Sequence, residues 1–344
     1  MSSSLTSSDL VSLFRRELET CALRPNESLV ILSEPTSRQD YVGATFAAAQ
    51  ALGLRSVASV VLPGGSPVAV PGVRSGSGFG LAALHGFPDM IELLKGVDMI
   101  VDVTIEGHIH AEIQQEILHA GTRILFVCDP PEVLARNLTG PADKARAVQA
   151  RDMLKEAKLM RVTSDHGTDL NVDVSDCHPG YQCGFTDDPG RWDHWPSCMV
   201  VCWPGRADGQ FVLAPGDILF PFKEYVTDPI TVSVEDSRVV KVVGGAQALK
   251  VQAYCDEAND AAAPFTSHMG WGLLSTADWL ALGMYDRESL MGMDGRSYEG
   301  NFLISTGPHP FQHRVTPFHL DLPMRDCSIT LDGIQILNKG RLAA

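Results

Sequence analysis

The chain has 344 residues, of which 44% are hydrophobic and 20% are charged, and its formal net charge is -15 at pH 7. This length and composition are typical of a soluble globular protein with two packed domains and exclude a largely disordered chain. The strong negative charge, without a compensating basic cluster, argues against a nucleic acid or an anionic membrane as partner.

The first half of the chain alternates helical and strand patterns. Ser8 can cap a helix whose apolar face runs from Leu10 to Cys21. The other predicted elements of this half are helices over 39–52, 88–94 and 110–120 and strands over 28–32, 56–62, 99–103 and 123–127. This alternation predicts a largely parallel sheet covered by helices, in an α/β domain over residues 1–160.

The second half changes to short β-rich runs that Gly, Pro and Asp turns separate. The predicted strands are 199–203, 218–221, 230–234 and 239–243, and the predicted helices are 246–257 and 276–282. We therefore expect an α+β domain over residues 161–344. A Gly-, Pro- and Ser-rich loop over 63–80 is either a lid or a plain disordered excursion.

The expected compartment is the cytoplasm. The N-terminal residues lack a cationic start followed by an apolar run, and no window approaches the length of a membrane span. The eight cysteines form no CxxC pair, which indicates reduced and mostly buried thiols. A homo-oligomer is the expected assembly.

The segment 316–323 carries the most informative local pattern. In an extended chain, side chains two residues apart emerge on one face, so His319 and Asp321 point together while Phe318 and Leu320 pack the other way. An imidazole and a carboxylate are thus presented to one metal ion. An H-x-D pair alone is a weak signal, because a single His in an apolar run is more often a core residue.

A third metal ligand must come from elsewhere, and His268 in the segment 267–272 is the best candidate. Its neighbouring glycines permit the backbone to approach a site closely. Two His and one carboxylate on one face of an octahedron leave three positions open, which suits an Fe(II) ion that holds substrate and O2 together. Zinc is chemically suitable as well.

Four longer strings carry a resemblance to a known family. They are Asp129–Arg136, Asp188–Ser197, Ser267–Leu273 and Gly300–Gly307. Together they closely resemble the 2,5-dihydroxypyridine 5,6-dioxygenases of the bacterial nicotinic-acid pathway, and the similarity runs over nearly the whole chain. The ten-residue string with two tryptophans is highly specific.

The resemblance implies a non-haem Fe(II) ion bound by His268, His319 and Asp321. It implies an extradiol-like ring cleavage that converts 2,5-dihydroxypyridine and O2 to N-formylmaleamate. The expected partners are therefore a small hydroxypyridine and O2, with no nucleic acid and no membrane.

The resemblance also implies substrate contact by His110, His194 and Arg296. His110 is the proposed base for the substrate hydroxyl, although it can equally be a surface residue beside a helix. His194 can orient the ring or be satisfied by its neighbour Asp193, and Arg296 can bind a developing oxyanion or form a salt bridge. Gln182, also expected to contact substrate, stands where we expect a glutamate, which leaves the ring substituents open.

This family resembles in turn the metallopeptidases related to aminopeptidase T, whose Gly-Thr-Asp-Leu signature occurs at Gly167–Leu170. Those hydrolases are expected to hold two metals, with a carboxylate at the position of His268 and a histidine near that of Leu303. The apolar Leu303 favours one metal and oxygen chemistry. A metal-dependent aminopeptidase is the alternative function, and a non-catalytic binding protein is the second alternative.

Overall fold

The computed structural model describes residues 5–62, 84, 86–108, 111–127, 129–257, 260–287, 289–316 and 318–343. The loop over 63–80, interpreted from sequence as a lid or an excursion, lies outside the described residues. The chain divides into two compact units. The first comprises residues 1–141, 182–197 and 285–291, and the second comprises residues 142–181, 198–284 and 292–344.

Helices and strands are numbered in chain order. The helices are α1 (Ser7–Thr20), α2 (Gln39–Ala51), α3 (Pro88–Lys95), α4 (Glu112–His119), α5 (Pro131–Arg136), α6 (Pro141–Glu156), α7 (Ala246–Glu257) and α8 (Met293–Arg296). The strands are β1 (Ser28–Ser33), β2 (Ser56–Val61), β3 (Met99–Asp102), β4 (Arg123–Val127), β5 (Leu159–Ser164), β6 (Asp169–Asp173), β7 (His178–Gln182), β8 (Trp192–Trp195), β9 (Met199–Trp203), β10 (Arg206–Leu213), β11 (Ile218–Leu219), β12 (Glu224–Tyr225), β13 (Ile230–Glu235), β14 (Arg238–Val243), β15 (Thr266–Gly272), β16 (Phe302–Thr306), β17 (Leu320–Met324), β18 (Cys327–Leu331), β19 (Ile334–Asn338) and β20 (Arg341–Leu342).

The first unit is built on a five-stranded sheet in the order β2-β1-β3-β4-β8, and every neighbouring pair is parallel. The residues of β1, β3 and β4 are all buried, as expected for apolar runs covered on both faces. The N-cap of helix α1 is Thr6, two residues before the predicted cap Ser8, because Thr6 and Asp9 form a capping box. The predicted parallel α/β architecture is confirmed.

The second unit consists mainly of antiparallel sheets. One has eight strands in the order β14-β13-β10-β6-β5-β18-β19-β20, and another has five in the order β17-β16-β15-β9-β7. The predicted helix over 246–257 is α7, whereas the helix predicted over 276–282 is wrong. A short 3-10 helix over Trp279–Gly283 stands there, and Asp278 caps it by accepting a hydrogen bond from the backbone N–H of Leu280.

The division into units differs from the single boundary predicted at residue 160. Strand β8, from the tryptophan-rich string, is the fifth strand of the parallel sheet and pairs with β4. Helix α6, which precedes residue 160, belongs to the second unit. Sequence periodicity did not reveal β8 because the strand has only four residues and carries Asp193 and His194 between its tryptophans.

None of the helices in the described ranges combines the length and the apolar character that a bilayer span requires.

Candidate metal centre

Strand β17 positions two of the three predicted ligands. It begins directly after His319 and pairs antiparallel with β16, so that Asp321 lies opposite Ser305. Leu320 and Leu322 are buried on the other side of the strand. The Nε2 atom of His319 lies 3.2 Å from Oδ1 of Asp321, as the predicted common face of the two side chains requires.

A β-bulge positions the third predicted ligand. His268 lies in β15, within the stretch from Thr266 to Met269 where the register with β16 shifts. Such irregularities redirect side chains next to functional sites. The hydroxyl of Ser305 donates a hydrogen bond of 2.9 Å to the carbonyl of His268. The Nε2 atom of His268 lies 3.4 Å from Oδ1 of Asp321.

Two glycines after His268 let β15 pack closely against its neighbours. A Cβ at Gly270 would lie 1.9 Å from the carbonyl oxygen of Val200, and a Cβ at Gly272 would lie 2.2 Å from that of Tyr298. Both distances are far shorter than van der Waals contact. These glycines therefore allow neighbouring backbone segments to pack closely against β15. The sequence instead predicted a close approach of the backbone to the site itself.

His268, His319 and Asp321 each offer one ligand atom, and these atoms all lie within 4.8 Å of one another. In the part of the chain that the structure describes, this is the one such group of three or more His, Cys, Asp or Glu side chains. Both Nε2 atoms lie near Oδ1 of Asp321, yet this buried oxygen has no hydrogen bond of normal geometry within the described ranges. A buried oxygen of this kind is costly unless a cation binds it, so the donor set fits a metal ion.

The electrostatics of the cluster favour the ligand forms of its side chains. Burial raises the pKa of the Asp321 carboxyl, but the neighbouring His319 and Arg296 side chains and the contact with His268 hold this pKa well below its ordinary value. Burial lowers the pKa of His268 and outweighs the opposing effect of Asp321. An ionised carboxylate and a neutral imidazole are the forms that bind a metal at neutral pH.

Arg296, a predicted substrate contact, touches the cluster through one of its ligands. Its Nε donates a hydrogen bond of 2.7 Å to Oδ2 of Asp321. Its guanidinium carbon lies 3.8 Å from the centroid of the Phe220 ring. The salt bridge considered as an alternative is thus present, with Asp321 as the acidic partner, and substrate contact by Arg296 stays a prediction.

Gln182 and His194 belong to the first unit, so their roles at the cluster of the second unit stay predictions. Oε1 of Gln182 accepts a hydrogen bond of 2.6 Å from the hydroxyl of Ser197. His194 is buried, and its ring centroid lies 4.9 Å from that of Phe126. The carboxylate of Asp193 binds Arg191 and the backbone N–H of His194.

His110, the predicted base, lies outside the described residues, but the structure describes another histidine two residues before it, His108. His108 is buried, and its Nδ1 lies 3.1 Å from Oδ2 of Asp102. The hydroxyl of Thr104 donates a hydrogen bond of 2.6 Å to the other oxygen of Asp102. The spacing of Asp102, Thr104 and His108 just after a buried strand is the signal that could have revealed this group.

The comparisons with known proteins are specific. The profile of the NicX family, described as 2,5-dihydroxypyridine 5,6-dioxygenase, matches residues 9–344. The chain belongs to this family. A 2,5-dihydroxypyridine 5,6-dioxygenase from Pseudomonas putida KT2440 is 36% identical over 344 residues, which cover 99% of this chain and 97% of that protein. Membership in this family makes the chain a dioxygenase, and hence an oxidoreductase.

Solved structures extend the comparison to the fold. The structure of the 2,5-dihydroxypyridine dioxygenase from Pseudomonas putida KT2440 matches with a TM-score of 0.93 at 36% identity, covering 99% of this chain and 98% of that chain. The wild-type AmpT from Thermus thermophilus matches with a TM-score of 0.57 at 11% identity, covering 97% of this chain and 99% of that chain. The latter similarity shows a shared fold alone, which agrees with the predicted distant resemblance to aminopeptidase T.

Proposed function

We propose that this chain is an Fe(II)-dependent, extradiol-like dioxygenase that converts 2,5-dihydroxypyridine, or a close hydroxypyridine, and O2 to N-formylmaleamate. The observation that carries the proposal is the convergence of His268, His319 and Asp321 in a chain of the dioxygenase family. In this reaction the ring bond between carbons 5 and 6 breaks, and both oxygen atoms enter the product. The reaction belongs to the degradation of nicotinate-derived rings.

The donor set supports iron as the metal. Two imidazole nitrogens and one carboxylate oxygen leave several positions of an octahedral ion open, and this arrangement is typical of non-haem Fe(II) oxygenases. When bound, Fe(II) supplies the electron density that triplet O2 needs to react with a closed-shell ring. The chain's own residues must then bind the ring, orient it and remove a proton from its hydroxyl group.

We propose these tasks for the residues predicted from the resemblance. A neutral histidine can accept the hydroxyl proton at neutral pH, and His110 is the proposed base. His194, Gln182 and Arg296 are the proposed ring contacts. The bond from Ser197 to Oε1 of Gln182 turns the amide nitrogen away from Ser197, so Gln182 can present an N–H donor where a glutamate would present an acceptor.

The aminopeptidase alternative rests on fold similarity alone. Leu303, at the position where a second metal would need a histidine, is buried in β16 opposite Gly270 and Pro323. An apolar side chain there cannot bind a cation.

The free thiols among the described cysteines also accord with the proposed cytoplasmic location. Homo-oligomerisation stays a prediction.

The test begins with anaerobic loading of the apoprotein with Fe(II), followed by oxygen-electrode measurements with 2,5-dihydroxypyridine. The expected result is one O2 consumed per ring cleaved, with both atoms of 18O2 found in the product by mass spectrometry. No oxygen uptake across a panel of hydroxypyridines and hydroxylated aromatic acids would contradict the proposal. Peptide cleavage with a bound pair of zinc or cobalt ions would establish the hydrolase instead.

A further inference from the structure

We propose that Arg296 is a positioning residue that restricts Asp321 to binding the metal through one oxygen. Three coordination positions of the ion thereby stay open for substrate and O2. The inference rests on the proposed function, because it presupposes a metal ion between His268, His319 and Asp321. It assigns Arg296 a task separate from the substrate contact that the resemblance implies.

The two carboxylate oxygens of Asp321 have different surroundings. Oδ2 accepts the hydrogen bond of 2.7 Å from Nε of Arg296. Oδ1 faces the Nε2 atoms of His319 and His268, at 3.2 Å and 3.4 Å. A metal between the imidazoles therefore meets Oδ1. Turning Oδ2 toward the same ion would break this charge-assisted hydrogen bond.

Arg296 is itself held in place by Phe220. The guanidinium lies over the Phe220 ring with 3.8 Å between its carbon and the ring centroid. The backbone of Phe220 is bonded to that of Asp321 in both directions, at 3.0 Å and 3.3 Å. The ring that supports the arginine is thus tied to the residue that the arginine positions. Arg296 is only 7% exposed, so solvent does not weaken this arrangement.

Glycine at position 292 makes room for the supporting ring. A Cβ at Gly292 would lie 2.6 Å from the Phe220 ring, and the backbone there has a φ of +92°, which favours glycine. Gly292 directly precedes α8, the short helix that ends at Arg296. The backbone that carries the arginine is therefore packed against the same aromatic ring as the guanidinium.

The number of carboxylate oxygens on the metal decides how many ligands can be added. Two imidazoles and one oxygen occupy three of six octahedral positions, and a second oxygen would occupy a fourth. With a second carboxylate oxygen bound, substrate and O2 would have only two positions between them. Arg296 thus keeps a third position open.

The decisive variant is Arg296→Met, which removes every donor while keeping an apolar chain for the Phe220 ring. The full-length protein is loaded anaerobically with Fe(II) and crystallised, and the distances from iron to Oδ1 and Oδ2 are measured. We expect only Oδ1 on the iron in the wild type and both oxygens in the variant. In solution, water-proton relaxation of the Mn(II)-loaded variant should fall by about a third, because one of three water positions is lost.

Two further variants make the test specific. Phe220→Leu keeps the arginine but removes its support, and it should give a smaller fall in relaxation; it also carries the test if Arg296→Met does not fold. Arg325→Met is the matched control, because Arg325 lies 5.0 Å over the Trp279 ring in the same unit and should leave relaxation unchanged.

The outcomes separate the inference from the function on which it rests. A wild-type protein that binds neither Fe(II) nor Mn(II) would overturn the proposed function. A wild type that binds Fe(II) and consumes O2, with Asp321 bound through one oxygen in both Arg296→Met and Phe220→Leu, would overturn the role of Arg296 alone.

Discussion

His268 and Asp321 approach within 3.4 Å through their side chains although a whole strand, β16, lies between their strands. The β-bulge at His268 interrupts the regular pairing of β15 with β16 and redirects the imidazole. Ser305 on the intervening strand lies opposite Asp321 and bonds to the backbone of His268. The cluster therefore depends on three adjacent strands and on one local irregularity.

Loss of a histidine ligand should remove the metal without unfolding the protein. We expect His319→Ala to abolish iron retention and turnover, measured by metal analysis after anaerobic desalting and by oxygen uptake. His319 is buried, so the variant should also lose about 1–3 kcal/mol of stability, which a lower melting temperature would report. The exposed His166 offers a matched control, His166→Ala, with normal iron and activity. Iron retained at the wild-type level in His319→Ala would refute the ligand assignment.

Loss of the carboxylate should cost more stability than loss of the imidazole. Asp321→Ala leaves the buried Arg296 guanidinium without the carboxylate to which its Nε donates. Removing one partner of a buried ion pair typically costs about 3–5 kcal/mol. We expect the metal-free Asp321→Ala protein to melt at a lower temperature than metal-free His319→Ala. Equal melting temperatures would show that the ion pair contributes little.

Close packing of β15 predicts a strong effect of a single methyl group. Gly270→Ala places a Cβ 1.9 Å from the Val200 carbonyl oxygen, so β15 must move away from β9. We expect a large drop in melting temperature and weaker iron binding. Gly43→Ala is the control, because helix α2 has nothing within 4 Å of the added carbon, and it should stabilise the protein by roughly 0.5–1 kcal/mol. A Gly270→Ala protein with wild-type stability would contradict the packing.

The amide at position 182 should affect substrate preference. Gln182→Glu keeps an oxygen that accepts the Ser197 hydroxyl but replaces the N–H donor by an acceptor. We expect the ranking of KM values across a panel of hydroxypyridines to change. The free energy of unfolding should stay within about 1 kcal/mol of the wild-type value. An unchanged ranking would remove Gln182 from the proposed ring contacts.

Asp217 should make stability depend on pH. Burial raises its pKa from 3.8 to about 6, although the backbone N–H groups of Arg325 and Ala214 oppose this shift. Between these two pH values the folded protein holds more protons than the unfolded chain. The stabilisation that protonated Asp217 contributes is therefore fully present below pH 3.8 and is lost as the pH rises through about 6. The shift corresponds to about 3 kcal/mol.

Asp217→Asn should remove this dependence. The variant loses one of two hydrogen bonds and should be the less stable protein at the acidic end of the window, with the difference shrinking or reversing at the neutral end. Melting temperatures across the window test this expectation. A difference that stays constant with pH would exclude Asp217 as the titrating group.

The sequence by itself determined the elements that depend on local periodicity. The runs of β1, β3 and β4 are buried strands of one parallel sheet, and β2 is its mostly exposed edge strand, all at nearly the predicted residues. The common face of His319 and Asp321 followed from the two-residue repeat of an extended chain. Each of these features is decided within a few neighbouring residues, where backbone geometry and side-chain burial act together.

Only the tertiary structure decided which distant segments meet. It placed β8 in the parallel sheet, redirected His268 through a bulge and paired Arg296 with Asp321. These contacts join residues far apart along the chain, and their free energy comes from strand pairing and from burial of charge against charge. The periodicity of a short stretch of sequence cannot predict such contacts, because each partner is stabilised only when the other is in place.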